Sequence, residues 1–501
     1  MLFRRLRATI QYFSVSTKAI HFGTSGWRAI IGDEFTFAGV RIASRAIAEH
    51  LLAQKPSPQV LVGYDQRFFS PEFARTAANV LRDAGCRASL SRGPVPTPAL
   101  SYEIRRTGAE GAINITASHN PPEYNGLKFS GADGGPALPE VTTDLEKRAA
   151  ALIAQAETNS GEPSAEPSAE DVFSRDGSSD EPTFDPRDPY FEQLERLIRF
   201  DTIRNGNSKF VYDALHGCGA GYLDEILRRH GIAVTIIRKD RDVLFDGAAP
   251  DPSDENLGRL RTAVAEEKAV AGLATDGDAD RFGIVDRDGT FIQPNHILGL
   301  VFDYLIQTRE HKGGPALGVA RSVATTHLLD AIARANSRPV FETPVGFKYI
   351  GAKLLEGKIL IGGEESAGMT IAGHVPEKDG VLAWLLVAEM IAARRASLGD
   401  QLRDLFRRLG AEFWPVRINI PLPENAIESV HKRLGAKFSD FAGRRVARTD
   451  RADGLQLNFA DGSWILMRPS GTEPLIRVYA EAGTLDEANK LADDAKKWVL
   501  Q

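Results

Sequence analysis

A serine and a histidine stand side by side in residues 116–122 (TASHNPP), a segment that ends in two prolines. The apolar stretch Gly111–Thr116 before it is typical of a β-strand. Three interpretations are open: a capped turn, a Ser-His hydrolase, or a serine, Ser118, that carries a phosphoryl group covalently. The hydrolase interpretation lacks both the G-x-S-x-G elbow and an evident acid partner. This segment alone does not decide between the turn and the covalent carrier.

Three aspartates alternate with other residues in the segment TDGDADR: Asp276, Asp278 and Asp280. Carboxylates in this pattern can converge on one hard cation that prefers oxygen ligands. An EF-hand loop would need glycine at its sixth position and glutamate at its twelfth, but Arg281 and Arg287 stand there. Three carboxylates and an oxygen of a phosphorylated Ser118 would suit Mg²⁺. The alternative, an acidic surface turn, leaves the apolar strands on both sides of the segment unexplained.

Two further segments offer groups for binding. Residues 468–474 (RPSGTEP), with Arg477 beyond them, combine guanidinium forks, hydroxyls and glycine-flanked amides that match phosphate oxygens. An ordinary β-turn with surface arginines is the alternative. Residues 362–368 (GGEESAG) place carboxylates and a hydroxyl between glycines, which suits hydrogen bonds to vicinal sugar hydroxyls. A flexible turn would explain this second segment equally well.

Helical and strand patterns alternate around these segments. Helix, strand, helix and strand follow one another from Thr36 to about Gly93, and one helix begins near Ser70 with proline at its first position. Later strands are predicted at Lys209–Asp213 and Ala233–Ile237, and an amphipathic helix ends the chain. Alternation of this kind predicts α/β units with largely parallel sheets.

The length of 501 residues is too great for one core and predicts several domains. Residues 155–189 are rich in Glu, Asp, Ser and Pro, so they are interpreted as a mobile acidic linker. The first eighteen residues are basic and are interpreted as an extension outside the fold, with a transit peptide as the alternative. The predicted division is extension 1–18, α/β domain I 19–154, linker 155–189, α/β domain II 190–295, α/β domain III 296–408 and domain IV 409–501.

Composition excludes several classes of protein. The net charge of −6 argues against a nucleic-acid binder, and no apolar run approaches the roughly 20 residues of a membrane span. Only two cysteines occur, Cys86 and Cys218, so we expect no disulfide framework and a cytoplasmic location.

The glycines of residues 216–221 (HGCGAG) miss the G-x-G-x-x-G spacing, so no dinucleotide site is predicted.

Taken together and in this order, the segments resemble the α-D-phosphohexomutase family, which includes phosphoglucomutases and phosphomannomutases. The resemblance extends from Phe22 to the end of the chain. Its pieces are GTSGWR at 23–28, TASHNPP with NGLK at 125–128, DGDADR, TPVGFK at 343–348, GGEESAG with EKDG at 377–380, and RPSGTEP. It implies an α/β fold of four domains around a central cleft: three related α/β domains with mixed sheets and a smaller C-terminal α+β domain.

The resemblance also implies the residues of the active site. Ser118 would be the phosphoserine and, with Asp276, Asp278 and Asp280, would hold one Mg²⁺. The groups around the transferring phosphoryl would be Arg28, His119, Lys128 and Arg281. Lys378 would be the general acid/base, with His119 as a second candidate, and a lowered lysine pKa is expected from Mg²⁺ and nearby arginines. The sugar would contact Gly346, Phe347, Glu364 and Ser366, and its second phosphate would contact Arg468, Ser470, Gly471, Thr472 and Arg477.

The substrate implied by the resemblance is a small phosphosugar. The sugar loop reads GEESAG and is followed by EKDG, which is closer to glucose-preferring members than the GE-x-SGH pattern of dual-specificity members. We therefore expect interconversion of glucose 1-phosphate and glucose 6-phosphate, with glucose 1,6-bisphosphate as intermediate and activator. The alternatives are a phosphomannomutase or dual-specificity enzyme, a phosphatase and a non-catalytic phosphosugar-binding protein. The sequence leaves the oligomeric state open.

Overall fold

The computed structural model describes residues 19–23, 26–158, 181–309, 316–470 and 474–500. The helices within these ranges are α1 (Phe37–Leu52), α2 (Ser70–Asp83), α3 (Thr97–Thr107), α4 (Pro139–Thr158), α5 (Arg187–Leu197), α6 (Phe200–Asn205), α7 (Leu223–Arg229), α8 (Gly258–Glu267), α9 (Pro294–Thr308), α10 (Leu328–Ala335), α11 (Phe347–Leu355), α12 (Gly380–Arg394), α13 (Leu398–Leu409), α14 (Glu424–Leu434) and α15 (Leu485–Leu500). Two short 3₁₀ turns lie at Phe245–Gly247 and Asp254–Asn256.

The strands of the described residues form four sheets, one in each domain. They are β1 (Trp27–Ile30), β2 (Gln59–Tyr64), β3 (Arg87–Ser91), β4 (Gly111–Ile115), β5 (Tyr124–Gly131), β6 (Thr183–Phe184), β7 (Phe210–Asp213), β8 (Val234–Ile237), β9 (Ala271–Thr275), β10 (Phe282–Asp286), β11 (Phe291–Ile292), β12 (Gly318–Ser322), β13 (Val340–Thr343), β14 (Ile359–Glu364), β15 (Gly368–Ile371), β16 (Trp414–Pro421), β17 (Asp440–Phe441), β18 (Arg444–Asp450), β19 (Leu455–Phe459), β20 (Trp464–Pro469) and β21 (Leu475–Ala482). Their orders are β1-β5-β4-β2-β3-β6, β11-β10-β9-β7-β8, β13-β12-β14-β15 and β16-β21-β20-β19-β18-β17.

The first three sheets are mixed, and the fourth is antiparallel, so the four-domain expectation is confirmed. Strands β4, β2 and β3 run parallel, as do β9, β7 and β8, and β13, β12 and β14. The mixed sheets that the resemblance implies are confirmed, whereas the alternation alone predicted largely parallel sheets and did not indicate that β5, β10 and β15 return antiparallel to β4, β9 and β14. Each of these returns follows a loop too short for the crossover that a parallel neighbour needs.

Regular elements occupy both ends of the predicted linker over 155–189. Helix α4 continues to Thr158, strand β6 joins the first sheet by pairing parallel to β3, and α5 begins at Arg187. Residues 159–180 lie outside the described residues, as does the N-terminal extension. The flanks of the acidic stretch therefore contribute ordered elements to the first and second domains.

Helix α12 joins the cores of the second and third domains. Its residues from Gly380 to Ala392 are all buried, so the helix lacks the polar face of a surface helix. The Trp384 ring lies 5.3 Å from the ring of Phe210 in β7, and both rings belong to one continuous apolar core. Among the described residues, no helix combines the length and apolar character that crossing a membrane requires.

Candidate active site

The serine segment connects the buried strand β4 to its antiparallel partner β5. Ser118 adopts the left-handed conformation (φ 54°), and its backbone N–H donates to Thr116 Oγ1 at 2.9 Å. A left-handed backbone is uncommon for a residue other than glycine and is maintained by surrounding contacts. The Ser118 side chain is buried, and its hydroxyl donates to Asp276 Oδ2 at 2.7 Å. The loops of the first and second domains therefore meet at this hydroxyl.

The three aspartates of the second-domain loop converge, as the sequence predicts. Each offers a carboxylate oxygen within 4.8 Å of the others, and all three side chains are buried. Asp276 Oδ1 accepts the backbone N–H groups of Asp280 and Arg281, at 2.9 and 3.0 Å. Burial, followed by the charges of Asp278 and Asp280, raises the pKa of Asp276 well above its ordinary value. A bound cation would offset the repulsion among these three buried carboxylates.

The donor set fits a divalent cation. Asp278 Oδ1 and Asp280 Oδ1 are buried and have no hydrogen-bond partner among the described residues. Two such oxygens, together with the Asp276 and Ser118 oxygens, are hard ligands of the type that Mg²⁺ prefers. The residues that would hold the ion are therefore Ser118, Asp276, Asp278 and Asp280.

Two lysines neutralise part of the carboxylate charge. Lys128 Nζ lies 2.5 Å from Asp278 Oδ2 and 2.9 Å from Asp280 Oδ2. Lys378 Nζ lies 3.2 Å from Asp280 Oδ2 and 2.7 Å from Glu377 Oε1. Burial lowers the pKa of Lys378, but the charges of Asp280 and Glu377 outweigh it and raise that pKa. The expected lowering of the Lys378 pKa is therefore not found in the free protein, because carboxylates surround the ammonium group. The sequence did not indicate these neighbours.

His119 and the arginines border the serine from the other side. His119 Nδ1 is 3.3 Å from Ser118 Oγ, and Arg28 donates to Asn120 Oδ1 at 2.8 Å. Desolvation, followed by the charges of Arg281 and Arg28, holds the pKa of His119 well below its ordinary value. A neutral imidazole at this distance can accept a proton from a hydroxyl group.

The sugar loop of the third domain lies at the end of β14. Glu364 Oε1 accepts the backbone N–H of Gly346 at 2.7 Å, and the Lys378 ammonium lies over the Phe347 ring at 5.2 Å. Gly346 has a φ of 132°, a conformation open mainly to glycine. The structure therefore brings Gly346, Phe347, Glu364 and Lys378 together.

Ser366 lines a cavity of about 380 Å³ between the second, third and fourth domains. Arg281 lines the same cavity, so the loop that contains the aspartates and the sugar loop share one space. Tyr479, two residues after Arg477, forms part of the opposite wall. This cavity is large enough for a sugar phosphate. Residues of three domains line it, and those of the fourth domain belong to strands β16, β20 and β21.

The fourth-domain segment is linked through Asp453 to Val345 of the third domain, next to Gly346. Arg468 and Arg477 are paired across β20 and β21, and Ser470 donates its N–H to Leu475 O at 2.9 Å. Asp453 accepts both from Arg468 Nε at 2.8 Å and from the N–H of Val345 at 2.9 Å. Gly471 and Thr472 lie outside the described residues.

One residue that binds the aspartate cluster, Thr97, was not predicted from the sequence. Thr97, at the start of α3, donates its hydroxyl to Asp278 Oδ2 at 2.5 Å and its N–H to the Asp278 carbonyl at 3.0 Å. Asn114 Nδ2 in turn donates to the Thr97 hydroxyl at 3.0 Å. The proline-flanked threonine in residues 94–98 (PVPTP) indicates a helix start, but no local pattern indicates a partner 181 residues away.

Four family profiles match the chain along most of its length. They are described as phosphoglucomutase/phosphomannomutase alpha/beta/alpha domain I (residues 19–156), domain II (188–289) and domain III (293–409), and the C-terminal domain (418–497).

The alignments with similar proteins cover most of both chains. A phosphoglucomutase from Komagataeibacter xylinus is 30% identical, over 94% of this chain and 88% of that protein. A protein from Methanothermobacter thermautotrophicus, assigned provisionally as a phosphoglucosamine mutase, is 29% identical over 95% and 97% of the two chains. The crystal structure of a protein assigned provisionally as a phosphomannomutase, from Thermus thermophilus, is 33% identical with a TM-score of 0.81, and covers 97% of this chain and 100% of its own.

Proposed function

The chain belongs to the phosphoglucomutase/phosphomannomutase family, whose members are mutases, and from this premise we propose that it interconverts glucose 1-phosphate and glucose 6-phosphate through a phosphorylated Ser118. One observation supports this proposal above all: the buried Ser118 hydroxyl lies 2.7 Å from Asp276, within a cluster of three carboxylates. The name of the phosphoglucomutase relative and the GEESAG sugar loop support glucose as the sugar.

The proposed reaction moves one phosphoryl group twice. The bond between phosphorus and Ser118 Oγ breaks as the free hydroxyl of a hexose phosphate forms a bond to phosphorus, which gives glucose 1,6-bisphosphate. The proton of that hydroxyl moves to a base: the neutral His119 can accept it directly, whereas Lys378 must first lose the proton that Asp280 and Glu377 help it to hold. The bisphosphate then turns end for end, Ser118 Oγ forms a bond to the other phosphorus, and the sugar oxygen released from that phosphorus takes the proton back from the base.

The residues of the cluster act mainly by position and charge, which is what phosphoryl transfer demands of a protein. A Mg²⁺ ion held by Asp276, Asp278 and Asp280 would supply positive charge for the phosphoryl oxygens. Lys128 and Arg281 would add charge from the protein, while Glu364 and Ser366 would orient the sugar. Arg468, Ser470 and Arg477, with Gly471 and Thr472, would hold the phosphate that does not react.

A coupled assay with glucose 1-phosphate, Mg²⁺ and a trace of glucose 1,6-bisphosphate tests the proposal. We expect turnover between about 1 and 10³ s⁻¹ and at least a 10⁴-fold loss, to order of magnitude, in Ser118→Ala. Ser101→Ala is the matched control, because this buried hydroxyl donates to Gly134 O and touches none of the three aspartates. Full activity of Ser118→Ala would overturn the proposal.

The same assay separates the other functions. Parallel reactions with mannose 1-phosphate and glucosamine 1-phosphate measure the sugar preference, and the phosphoglucosamine mutase name of one relative is the reason to include the amino sugar. Phosphate release in excess of isomer formation would indicate a phosphatase. No turnover of any of the sugars would indicate a non-catalytic protein that binds phosphosugars. The cytoplasmic location stays a prediction.

A further inference from the structure

Arg67 has no role in the reaction described above, yet its side chain is fully buried. It lies beneath residues 116–124, which we call the serine loop. Its guanidinium group donates four hydrogen bonds, all to backbone carbonyl oxygens of that loop. Nη1 donates to Pro121 O at 2.8 Å and Tyr124 O at 3.0 Å, and Nη2 donates to Ser118 O at 2.7 Å and Asn120 O at 2.6 Å. One side chain therefore satisfies four carbonyls of the loop.

A carboxylate orients this guanidinium group. Asp65 Oδ2 lies 3.2 Å from Arg67 Nε, and both side chains are inaccessible to solvent. Asp65 Oδ1 accepts the N–H of Arg67 at 2.9 Å and the hydroxyl of Ser70 at 2.7 Å. Because Ser70 begins α2, the carboxylate and with it the guanidinium group are fixed to a regular element of the first domain.

The second domain covers the guanidinium group from the opposite side. The Phe245 ring lies 5.1 Å from the Arg67 guanidinium carbon. Arg241 donates to the carbonyl oxygens of Gln66 and Arg67, at 3.1 and 3.2 Å. Of the four hydrogen bonds, the one to Ser118 O is buried, so losing the guanidinium group would leave this carbonyl without a replacement partner.

One of the four hydrogen bonds, from Arg67 Nη2 to Ser118 O, bears directly on the direction of the Ser118 side chain. With the Ser118 carbonyl turned toward Arg67 and the backbone in the left-handed region, the hydroxyl is directed at Asp276. The Gly277 Cα packs against the other side of the same carbonyl, since a methyl group added there would lie 2.5 Å from Ser118 O. The carbonyl therefore lies between a planar fork of fixed geometry and the loop that contains the aspartates.

We propose that Arg67 is a positioning residue for the phosphoryl-carrying serine, holding its backbone so that the hydroxyl lies against the aspartate cluster. The proposal rests on the proposed function of Ser118. Lysine cannot replace arginine here, because an ammonium group is a compact charge and cannot reach four carbonyls arranged around a planar fork. The Phe245 ring acts on Ser118 through Arg67, whereas Asp65 also interacts with the Thr116 side chain, whose hydroxyl accepts the Ser118 N–H.

Arg67→Lys is the first test. We expect kcat to fall about 100-fold, the order that a misplacement of about 1 Å costs, with KM changed less than about threefold. The rate of Ser118 phosphorylation by glucose 1,6-bisphosphate, measured by mass spectrometry in a single turnover, falls by the same factor. Arg309→Lys is the matched control, because Arg309 likewise binds a buried carboxylate, Glu389, and a carbonyl, Leu197 O, but contacts no residue of the serine loop. This control keeps the kcat of the unaltered protein.

Arg67→Ala with added guanidinium ion is the second test. Guanidinium at roughly 50 mM, well below denaturing concentrations, raises the kcat of Arg67→Ala at least tenfold. Ethylammonium, which lacks the planar fork, does not raise it. A kcat of Arg67→Lys within about threefold of Arg309→Lys overturns the inference, as does loss of the native fold in both Arg67 variants. If the unaltered protein forms neither isomer nor phosphoserine, the proposed function fails instead.

Discussion

At the scale of single residues, the three aspartates of the cluster differ in what they already bind. Asp276 uses both oxygens, one for the Ser118 hydroxyl and one for two backbone N–H groups. Asp278 and Asp280 each bind lysine through one oxygen and keep the other without a protein partner among the described residues. An ion bound here would therefore stabilise the fold mainly through the last two aspartates.

Asp278→Asn is expected to abolish stabilisation by Mg²⁺. In the unaltered protein, Mg²⁺ at 100 times its dissociation constant raises the free energy of unfolding by about 2.7 kcal/mol, since the ion binds the folded chain alone. Denaturant unfolding with and without MgCl₂ measures this increment. Asp286→Asn is the control, because Asp286 is buried in the same domain but binds the N–H groups of Arg287 and Gly399 instead. An unchanged increment in Asp278→Asn would place the ion elsewhere.

Glu364 is expected to make stability depend on pH. Burial, followed by the charge of Glu365, raises the pKa of Glu364 to about 7 from an ordinary 4.5. A carboxyl group whose pKa is raised by folding stabilises the folded chain at low pH, and this contribution is lost as the pH rises through the folded value. The free energy of unfolding of the unaltered protein, minus that of Glu364→Gln, therefore falls between about pH 5 and pH 7. A difference that stays constant over this range would contradict the raised pKa.

At the scale of elements, one arrangement recurs in the first three domains. A parallel strand ends in a functional loop, and the next strand returns antiparallel beside it: β4 to β5, β9 to β10, and β14 to β15. The serine, the aspartates and Glu364 all lie at the carboxyl ends of such parallel strands. Short returns hold both ends of each loop in a sheet, which limits how far the side chains can move.

Much of this local arrangement could be predicted. The strand patterns before Ser118 and on both sides of the aspartates were visible because apolar runs bounded by polar loops are a local signal. The antiparallel returns were expected only from the family resemblance, which implies mixed sheets, since a short apolar run does not indicate the direction of its partner strand. Thr97 and Arg67 were missed for a related reason: their partners are set by packing between segments distant in the chain.

Gly277→Ala is expected to slow the reaction by separating two loops. The added methyl group would lie 2.5 Å from Ser118 O and 3.2 Å from Pro250 Cγ, so the backbone must shift. We expect a kcat about 10- to 100-fold lower, from displacement of the serine, and a loss of about 1–3 kcal/mol in the free energy of unfolding. Gly258→Ala, at the start of α8 with open space around it, is the control and keeps full activity. Equal rates for the two variants would show that the close approach is unimportant.

At the scale of the whole molecule, the site exists only where the domains meet. The Asp278 carbonyl accepts the N–H of Thr97 from the first domain, and the Ala279 carbonyl accepts the N–H of Gly380 from the third. Asp453 of the fourth domain binds the N–H of Val345 beside the sugar loop. Convergence of this kind has no local signal in the sequence, and the expectation of a shared cleft came from the family resemblance.

Arg468→Ala is expected to weaken binding of both hexose phosphates. With one reactive centre, the phosphate that does not react must occupy the same fourth-domain loop whether it is attached to O1 or to O6. Hydrogen bonds to a charged group contribute about 1.5–3 kcal/mol, so KM rises about 10- to 100-fold for glucose 1-phosphate and for glucose 6-phosphate. Initial rates in both directions measure the two KM values.

The kcat and KM values of Arg468→Ala must be read separately in each direction. The equilibrium constant of the reaction fixes the ratio of kcat/KM forward to kcat/KM in reverse, so both values of kcat/KM fall equally whatever Arg468 does. A rise in both KM values with smaller changes in kcat indicates binding lost from ground state and transition state alike. Arg448→Ala is the control, because Arg448 is an exposed arginine of the same domain, 2.9 Å from Asp450. A KM that rises for one sugar phosphate alone would mean that the two orientations use different phosphate sites.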